Sequence, residues 1–251
     1  MPRRTDASIE SFAGRVKLVV SRRAMRGASG SRLGSAAGSS LEFHDYRDYQ
    51  PGDDVRSIDW NVLARSDREV IRRHREEVTP VLDLFVDSSA SMRACGGAAA
   101  AMAESLSRLL EGAASRAGCR TRRDPGSCAQ RSVRVLVSDL LVPDSPETVL
   151  APLERGAAAL HVIRVLPEAE RSPRPGDSYV CEDPETGERR ELSFDEATLA
   201  AHAHALQRHT ESWLRALRLA GGTFTDLTPE GAEADGVVAA LVAQGVVEVV
   251  A

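Results

Sequence analysis

The sequence predicts an α/β fold built on a doubly wound, mainly parallel sheet, with an N-terminal extension and a hairpin insertion. Three observations carry this. Near-continuous apolar runs such as Val81–Val86 have the length and composition of strands buried on both faces of a parallel sheet. Beyond residue 77 these runs alternate with helix-length stretches rich in Ala and Leu. Aspartates stand directly after two of the runs, at Asp87 and Asp139, and open α/β sheets take their ligands beyond the carboxyl ends of strands.

In chain order, residues 9–25 read as a helix, with Phe12, Val16, Val19 and Val20 near helical spacing. Gly and Ser dominate residues 27–40, a loop. Residues 41–77 are dense in charge and aromatics; Pro51-Gly52-Asp53-Asp54 is a turn, and a strand fits 69–73. The strand at 81–86 ends in Asp87-Ser88-Ser89-Ala90-Ser91-Met92. A helix over 97–117 follows, with Met102, Leu106, Leu109 and Leu110 on one side. A second buried strand, 133–138, runs into Asp139-Leu140. A helix at 146–156 and a strand at 160–166 come next. Residues 168–193 read as a hairpin insertion turning at Pro184-Glu185-Thr186-Gly187. A long helix from 195 to 220 stops at Gly221-Gly222. A strand at 223–226 and a helix at 233–244 complete the pattern. The expected division is 1–76, an extension, and 77–251, the α/β domain.

Composition narrows the function classes. Charged residues at 27% and hydrophobic ones at 42% exclude a wholly disordered chain, and 4% aromatics leave the core to Ala, Val and Leu. No apolar run approaches the roughly twenty residues of a membrane span, and no signal peptide is visible, so a cytoplasmic protein is expected. Residues 1–35 carry a net charge of +6 and the remainder −11. A basic arm can touch nucleic acid, but no recognition helix or interleaved aromatics accompany it, and nucleic acid is not an expected partner. Cys95, Cys119, Cys128 and Cys181 form no C-x-x-C pair and read as free thiols. No G-x-x-x-x-G-K, no dinucleotide fingerprint and no G-x-S-x-G elbow occurs, so ATP hydrolysis and serine catalysis are not expected.

The chemistry concentrates at the strand ends. Asp87, Ser89 and Ser91 form a D-x-S-x-S turn, and Asp139 follows the neighbouring run. Carboxylate and hydroxyl oxygens with retained waters suit Mg²⁺. Asp87 and Ser89 are also good caps for the helix that follows, a role compatible with metal binding. His202, His204 and His209 share a predicted helix but lack a coordinating carboxylate or cysteine, and read as solvated side chains. Trp213, Leu214 and Leu217 read as core.

Asp87-x-Ser89-x-Ser91 resembles the metal-ion-dependent adhesion site (MIDAS) of von Willebrand factor type A (VWA) domains. Upstream, Glu42-Phe43, Tyr46-Arg47-x-Tyr49-x-Pro51-Gly52-Asp53-Asp54-x-Arg56-x-Ile58-Asp59-Trp60 and Ala64-Arg65 resemble the signature of the bacterial family called domain of unknown function 58. The similarity runs from about residue 27 to 92 and resumes over 133–241, including Asp183-x-Glu185-Thr186-Gly187. The resemblance implies a VWA-like, Rossmann-like sheet with an adhesion-type metal site. It also implies association with a MoxR-type AAA+ ATPase in chaperone-like complex assembly. Asp87, Ser89 and Ser91 would then bind Mg²⁺ or Mn²⁺ directly and Asp139 through water, with a partner carboxylate completing the shell. The expected function is a non-enzymatic, metal-dependent protein-binding module. The alternatives are a metal-dependent phosphohydrolase and a structural adaptor whose metal site is empty.

Within the signature, Arg47, Tyr49, Asp53, Asp54, Arg56, Asp59, Trp60 and Arg65 admit two readings. They form either a salt-bridged scaffold packing Tyr49, Ile58 and Trp60 against the sheet, or a partner-docking surface. Against a complete VWA-like domain, residues 118–132 are short, polar and arginine-rich, with Thr121 their only threonine. The expectation is an abbreviated sheet lacking elements there, by nature or through a deletion or frameshift. It would have a weak, incomplete ligand shell and an exposed edge that invites self-association.

Overall fold

The computed structural model describes residues 9–21, 24, 41–76, 79–124, 126–176 and 178–250. Residues 9–14 are helical, ending in the 3₁₀ turn Phe12–Gly14, and lead into β1 (Val16–Leu18). Two antiparallel strands, β2 (Leu41–Asp48) and β3 (Val70–Glu76), flank α1 (Trp60–Ser66). Then follow β4 (Val81–Val86), the single turn α2 (Ala90–Arg93), α3 (Ala98–Arg116) and β5 (Arg120–Arg123). The chain continues through β6 (Val133–Ser138), α4 (Pro146–Glu154), β7 (Ala159–Val165) and the short α5 (Glu168–Arg171). The hairpin β8 (Ser178–Glu182) and β9 (Arg189–Ser193) precedes α6 (Glu196–Ala220), β10 (Thr223–Leu227), α7 (Ala234–Ala243) and β11 (Val247–Val249).

The main sheet is wholly parallel, in the order β10-β7-β6-β4-β5. Alternation of side chains across the strands gives it two apolar faces. On one face Leu82, Leu84, Val133, Val135, Val137, Ile163 and Val165 pack with Leu106, Leu109 and Leu110 of α3 and with Val237, Val238 and Leu241 of α7. On the other, Phe85, Leu136, Leu160 and Val162 pack with Leu150 and Leu153 of α4 and with Trp213 and Leu217 of α6. This is the doubly wound arrangement that the alternating runs predict. Asp195 caps α6, accepting from the Thr198 amide at 2.7 Å, and Gly221 closes it at φ 67°, where a side chain would be strained. Among the described residues no helix is long and apolar enough to cross a membrane.

Two compact units are present. Described residues between 9 and 24 group with 80–250, and residues 41–79 form the second. The first residues therefore belong to the α/β unit, not to an extension reaching residue 76. The helix expected over 9–25 is also corrected: Val16 and Leu18 are buried while Lys17 points out, a period of two rather than 3.6. β1 pairs antiparallel with β11, and Lys17 meets Glu248 across the pair at 3.3 Å. The Gly/Ser stretch 27–40 lies outside the described residues.

The span 118–132 needs a second correction, because it holds β5, an edge strand alongside β4. Its polarity has a cause inside the sheet. Asp83, in the middle of an apolar strand, is fully buried. Its carboxylate accepts from Arg122 Nε at 2.7 Å, the Ala129 amide at 2.8 Å and Ser132 Oγ at 2.7 Å. Arg123 on the same strand pairs with Glu104 of α3. A short edge strand carrying arginines is also a poor template for edge-to-edge pairing. Arg134, buried on β6, donates to the carbonyls of Leu153 at 2.7 Å and Arg155 at 3.0 Å, at the C-terminal end of α4 where a cation is favoured.

Candidate functional site

The ends of β4 and β6 lie side by side, and their register places Val86 opposite Val137. The Asp87 amide donates to the Val137 carbonyl at 2.9 Å, extending the ladder one residue beyond the end of β4. Asp87 is thereby fixed against Ser138, whose hydroxyl donates to Asp87 Oδ2 at 2.5 Å. The other oxygen, Oδ1, accepts from the Ser89 amide at 2.8 Å. The turn then brings Ser89 Oγ and Ser91 Oγ to 2.9 Å. Asp87, Ser89, Ser91 and Asp139 are thus gathered at one place, as the strand ends predict.

Asp139 shows what this place lacks. The residue is 1% exposed, its Oδ1 accepts from the Leu141 amide at 2.9 Å, and its Oδ2 is buried with no hydrogen-bond partner. Burial pushes its carboxyl above the usual range, the Leu141 amide and Ser91 hydroxyl pull it back, and the Asp87 and Glu185 carboxylates push it further up. Glu170 has the same character. Burial raises its carboxyl, Asp139 adds to the rise, and its Oε2 is buried without a partner. The backbone after Asp139 is held in an uncommon conformation. Leu140 has φ 64°, fixed by its buried side chain and by its amide donating to Ser138 Oγ at 2.9 Å. His209, with Nε2 3.0 Å from the Leu140 carbonyl, braces the loop from α6.

The donor set fits a hard divalent cation. Two adjacent oxygens on octahedral Mg²⁺, at about 2.1 Å from the ion, stand about 3.0 Å apart, and the Ser89–Ser91 spacing is 2.9 Å. The orphaned oxygen of Asp139, with the Asp87 and Glu185 carboxylates near it, is a feature a cation relieves. Among the described residues no three His, Cys, Asp or Glu side chains are grouped closely enough to hold a metal alone, so any such site draws on hydroxyls and water. That includes the histidines of α6. Thr121 is not at a strand end: it lies inside β5, opposite Leu82. The sequence singled out neither Ser138 nor Glu170. A hydroxyl residue directly before Asp139 was the available signal for the first; nothing local marks the second.

A family model described as "Protein of unknown function DUF58" matches residues 45–122, a span that includes the D-x-S-x-S turn. An uncharacterized protein of Mycobacterium tuberculosis (strain ATCC 25618 / H37Rv) is 30% identical to this chain, over 79% of this chain and 78% of its own length. The chain belongs to the DUF58 family. Uncharacterized proteins of Mycobacterium bovis and of Mycobacterium tuberculosis (strain CDC 1551 / Oshkosh) show the same identity and coverage. No solved structure matches.

The DUF58 signature residues lie in the second unit, where they form a small, locally bonded structure. Asp59, 3% exposed, caps α1 by accepting from the Asn61 and Val62 amides at 3.0 and 3.3 Å, and accepts from the Tyr46 hydroxyl at 3.1 Å. Arg47 pairs with Asp53 at 2.9 Å, which holds the Asp53 carboxyl below its ordinary range, and Asp53 also accepts from the Gln50 amide. Asp54 caps the 3₁₀ turn Val55–Ser57 through the Arg56 amide at 2.9 Å. Arg56 and Arg65 are exposed, and among the described residues neither forms an ion pair with these aspartates. Tyr49 and Ile58 are half-buried, but Trp60 is 60% exposed. Trp60, the first residue of α1, is therefore an exposed side chain.

Proposed function

We propose that this DUF58 chain is a VWA-like, non-enzymatic binding module whose contact with a protein partner is completed through Mg²⁺ or Mn²⁺ at the ends of β4 and β6. The observation that carries the reading is the buried, unpartnered Asp139 Oδ2 beside the Ser89–Ser91 hydroxyl pair. Asp87, Ser89 and Ser91 would supply oxygens directly and Asp139 through water. The bound ion would offer a free position to a carboxylate of the partner, making association metal-dependent. The edge strand β5 lies between α3 and β6. With Thr121 inside that strand, one oxygen is missing from the shell, so weak affinity is expected.

The partner implied by the family resemblance is a MoxR-type AAA+ ATPase, with the pair acting in chaperone-like assembly. An apolar cleft of ≈ 260 Å³ opens beside Asp87 and Ser138, lined by Phe85, Leu136, Leu140 and Trp213 among others. It is suited to an apolar side chain next to the incoming carboxylate. Co-purification of the tagged chain with the ATPase, in Mg²⁺ and in EDTA, tests the reading. Retention in Mg²⁺, with loss in EDTA and in Asp87→Ala, is expected. Equal retention in all three would contradict it.

A further inference from the structure

The hairpin β8–β9 sends a carboxylate into the strand-end site from 94 residues away: Glu185 Oε1 accepts from the Ser91 amide at 2.9 Å. The turn that presents it is internally complete. Asp183 Oδ1 accepts from the Glu185 and Thr186 amides at 2.8 and 3.2 Å, and its carbonyl accepts from the Gly187 amide at 2.7 Å. Gly187 has φ 72°, a conformation that favours glycine. The backbone is satisfied locally, so the Glu185 side chain is free to reach outward.

Its destination is electrostatically unwelcoming without a cation. Asp87 opens the D-x-S-x-S turn, Asp139 follows the neighbouring strand β6, and Glu185 adds a third carboxylate near them. One backbone hydrogen bond offsets that repulsion. A divalent ion would convert it to attraction and draw the hairpin in. Among the described residues, the hairpin has few other anchors. Every residue of β9 is exposed, Val180 and Tyr179 of β8 are 69% and 47% exposed, and its ion pairs Arg189–Glu182 and Arg190–Glu188 are internal. A two-stranded hairpin that buries so little is marginal by itself and opens at low cost.

We propose that Glu185 is a built-in ligand for the D-x-S-x-S turn: the β8–β9 hairpin lays it over the metal position and competes there with the acidic residue of a partner. This rests on the metal-site reading above, and the hairpin then regulates that site. When the hairpin is closed the chain is its own ligand, and partner binding requires Glu185 to leave.

The test uses the whole chain and Mn²⁺ alone, with titration calorimetry and hydrogen exchange of residues 178–193. In the parent, Mn²⁺ should slow exchange across the hairpin. Glu185→Gln should abolish that protection and weaken Mn²⁺ binding about three-fold or more. Glu191→Gln removes the same charge from the exposed strand β9 rather than the turn, and should leave both readouts at parental values. If Asp87→Ala loses Mn²⁺ binding while Glu185→Gln keeps parental affinity and hairpin protection, the self-ligand is overturned and the metal site stands. If the parent binds no Mn²⁺, both are overturned.

Discussion

Asp83→Ala isolates the interaction that makes the polar span 118–132 fold. The carboxylate is fully buried and accepts three hydrogen bonds, one from a guanidinium and two from neutral donors. Its removal strands the Ala129 amide, leaves the Ser132 hydroxyl only the Ala129 carbonyl to donate to, at 2.9 Å, and leaves Arg122, 28% exposed at its side chain, without its anion. Deleting one partner of a buried pair costs about 3–5 kcal/mol. Arg122 is partly solvated and recovers some of that, so about 3 kcal/mol is expected here. With a urea slope of about 2–3 kcal/mol/M the unfolding midpoint should fall by roughly 1–1.5 M. Hydrogen exchange should locate the damage: amides at 120–124 and 129–132 should lose protection before those of β6 and β7. Arg122→Met leaves the buried carboxylate without its cation and should cost a comparable amount, and Asp83→Ala with Arg122→Met less than the sum. A midpoint unchanged within about 0.5 kcal/mol of stability, or protection lost uniformly, would refute the claim that Asp83 anchors the edge strand.

Other outcomes follow from single residues. Asp59→Ala removes a double cap and the Tyr46 hydrogen bond and should cost about 1–2 kcal/mol in denaturant melts, whereas Arg56→Ala should stay within about 0.5 kcal/mol. Trp60→Ala should leave stability nearly unchanged; if co-purification with the ATPase is also unchanged, Trp60 does not dock the partner. His161, 5% exposed, is held neutral by burial, with its pKa lowered from 6.5 to about 4. The unfolded chain therefore binds a proton that the folded chain refuses. Stability should fall by on the order of 3 kcal/mol as pH drops from 6.5 through 4, and urea melts of His161→Gln should show a flatter decline.

Strands buried on both faces were legible because apolar runs and their aspartate endings survive without context. The edges were not. β1 was hidden because Phe12, Val16, Val19 and Val20 satisfy a helical spacing while Val16 and Leu18 satisfy a strand's, and only pairing with β11 decides between them. β5 was hidden because an arginine-rich strand looks like a loop until Asp83 is seen to need Arg122. At the site, Asp87, Ser89, Ser91 and Asp139 follow from local pattern. Glu185 and Glu170 reach it from distant segments, and neither has a spacing that announces this. In the signature, Asp59 reads as one aspartate among many, and its burial depends on the fold of α1 over Tyr46.

The central claim is that the ends of β4 and β6 hold a divalent cation, and calorimetric melting in Mg²⁺ addresses it most directly. For a dissociation constant of about 1 mM, 10 mM Mg²⁺ stabilises the native state by about 1.4 kcal/mol, a rise in Tm of a few degrees. The account predicts that rise in the parent and its absence in Asp87→Ala, each measured against its own metal-free melt. A parent Tm that does not move at 10 mM Mg²⁺ or Mn²⁺, or an equal shift in Asp87→Ala, would contradict it.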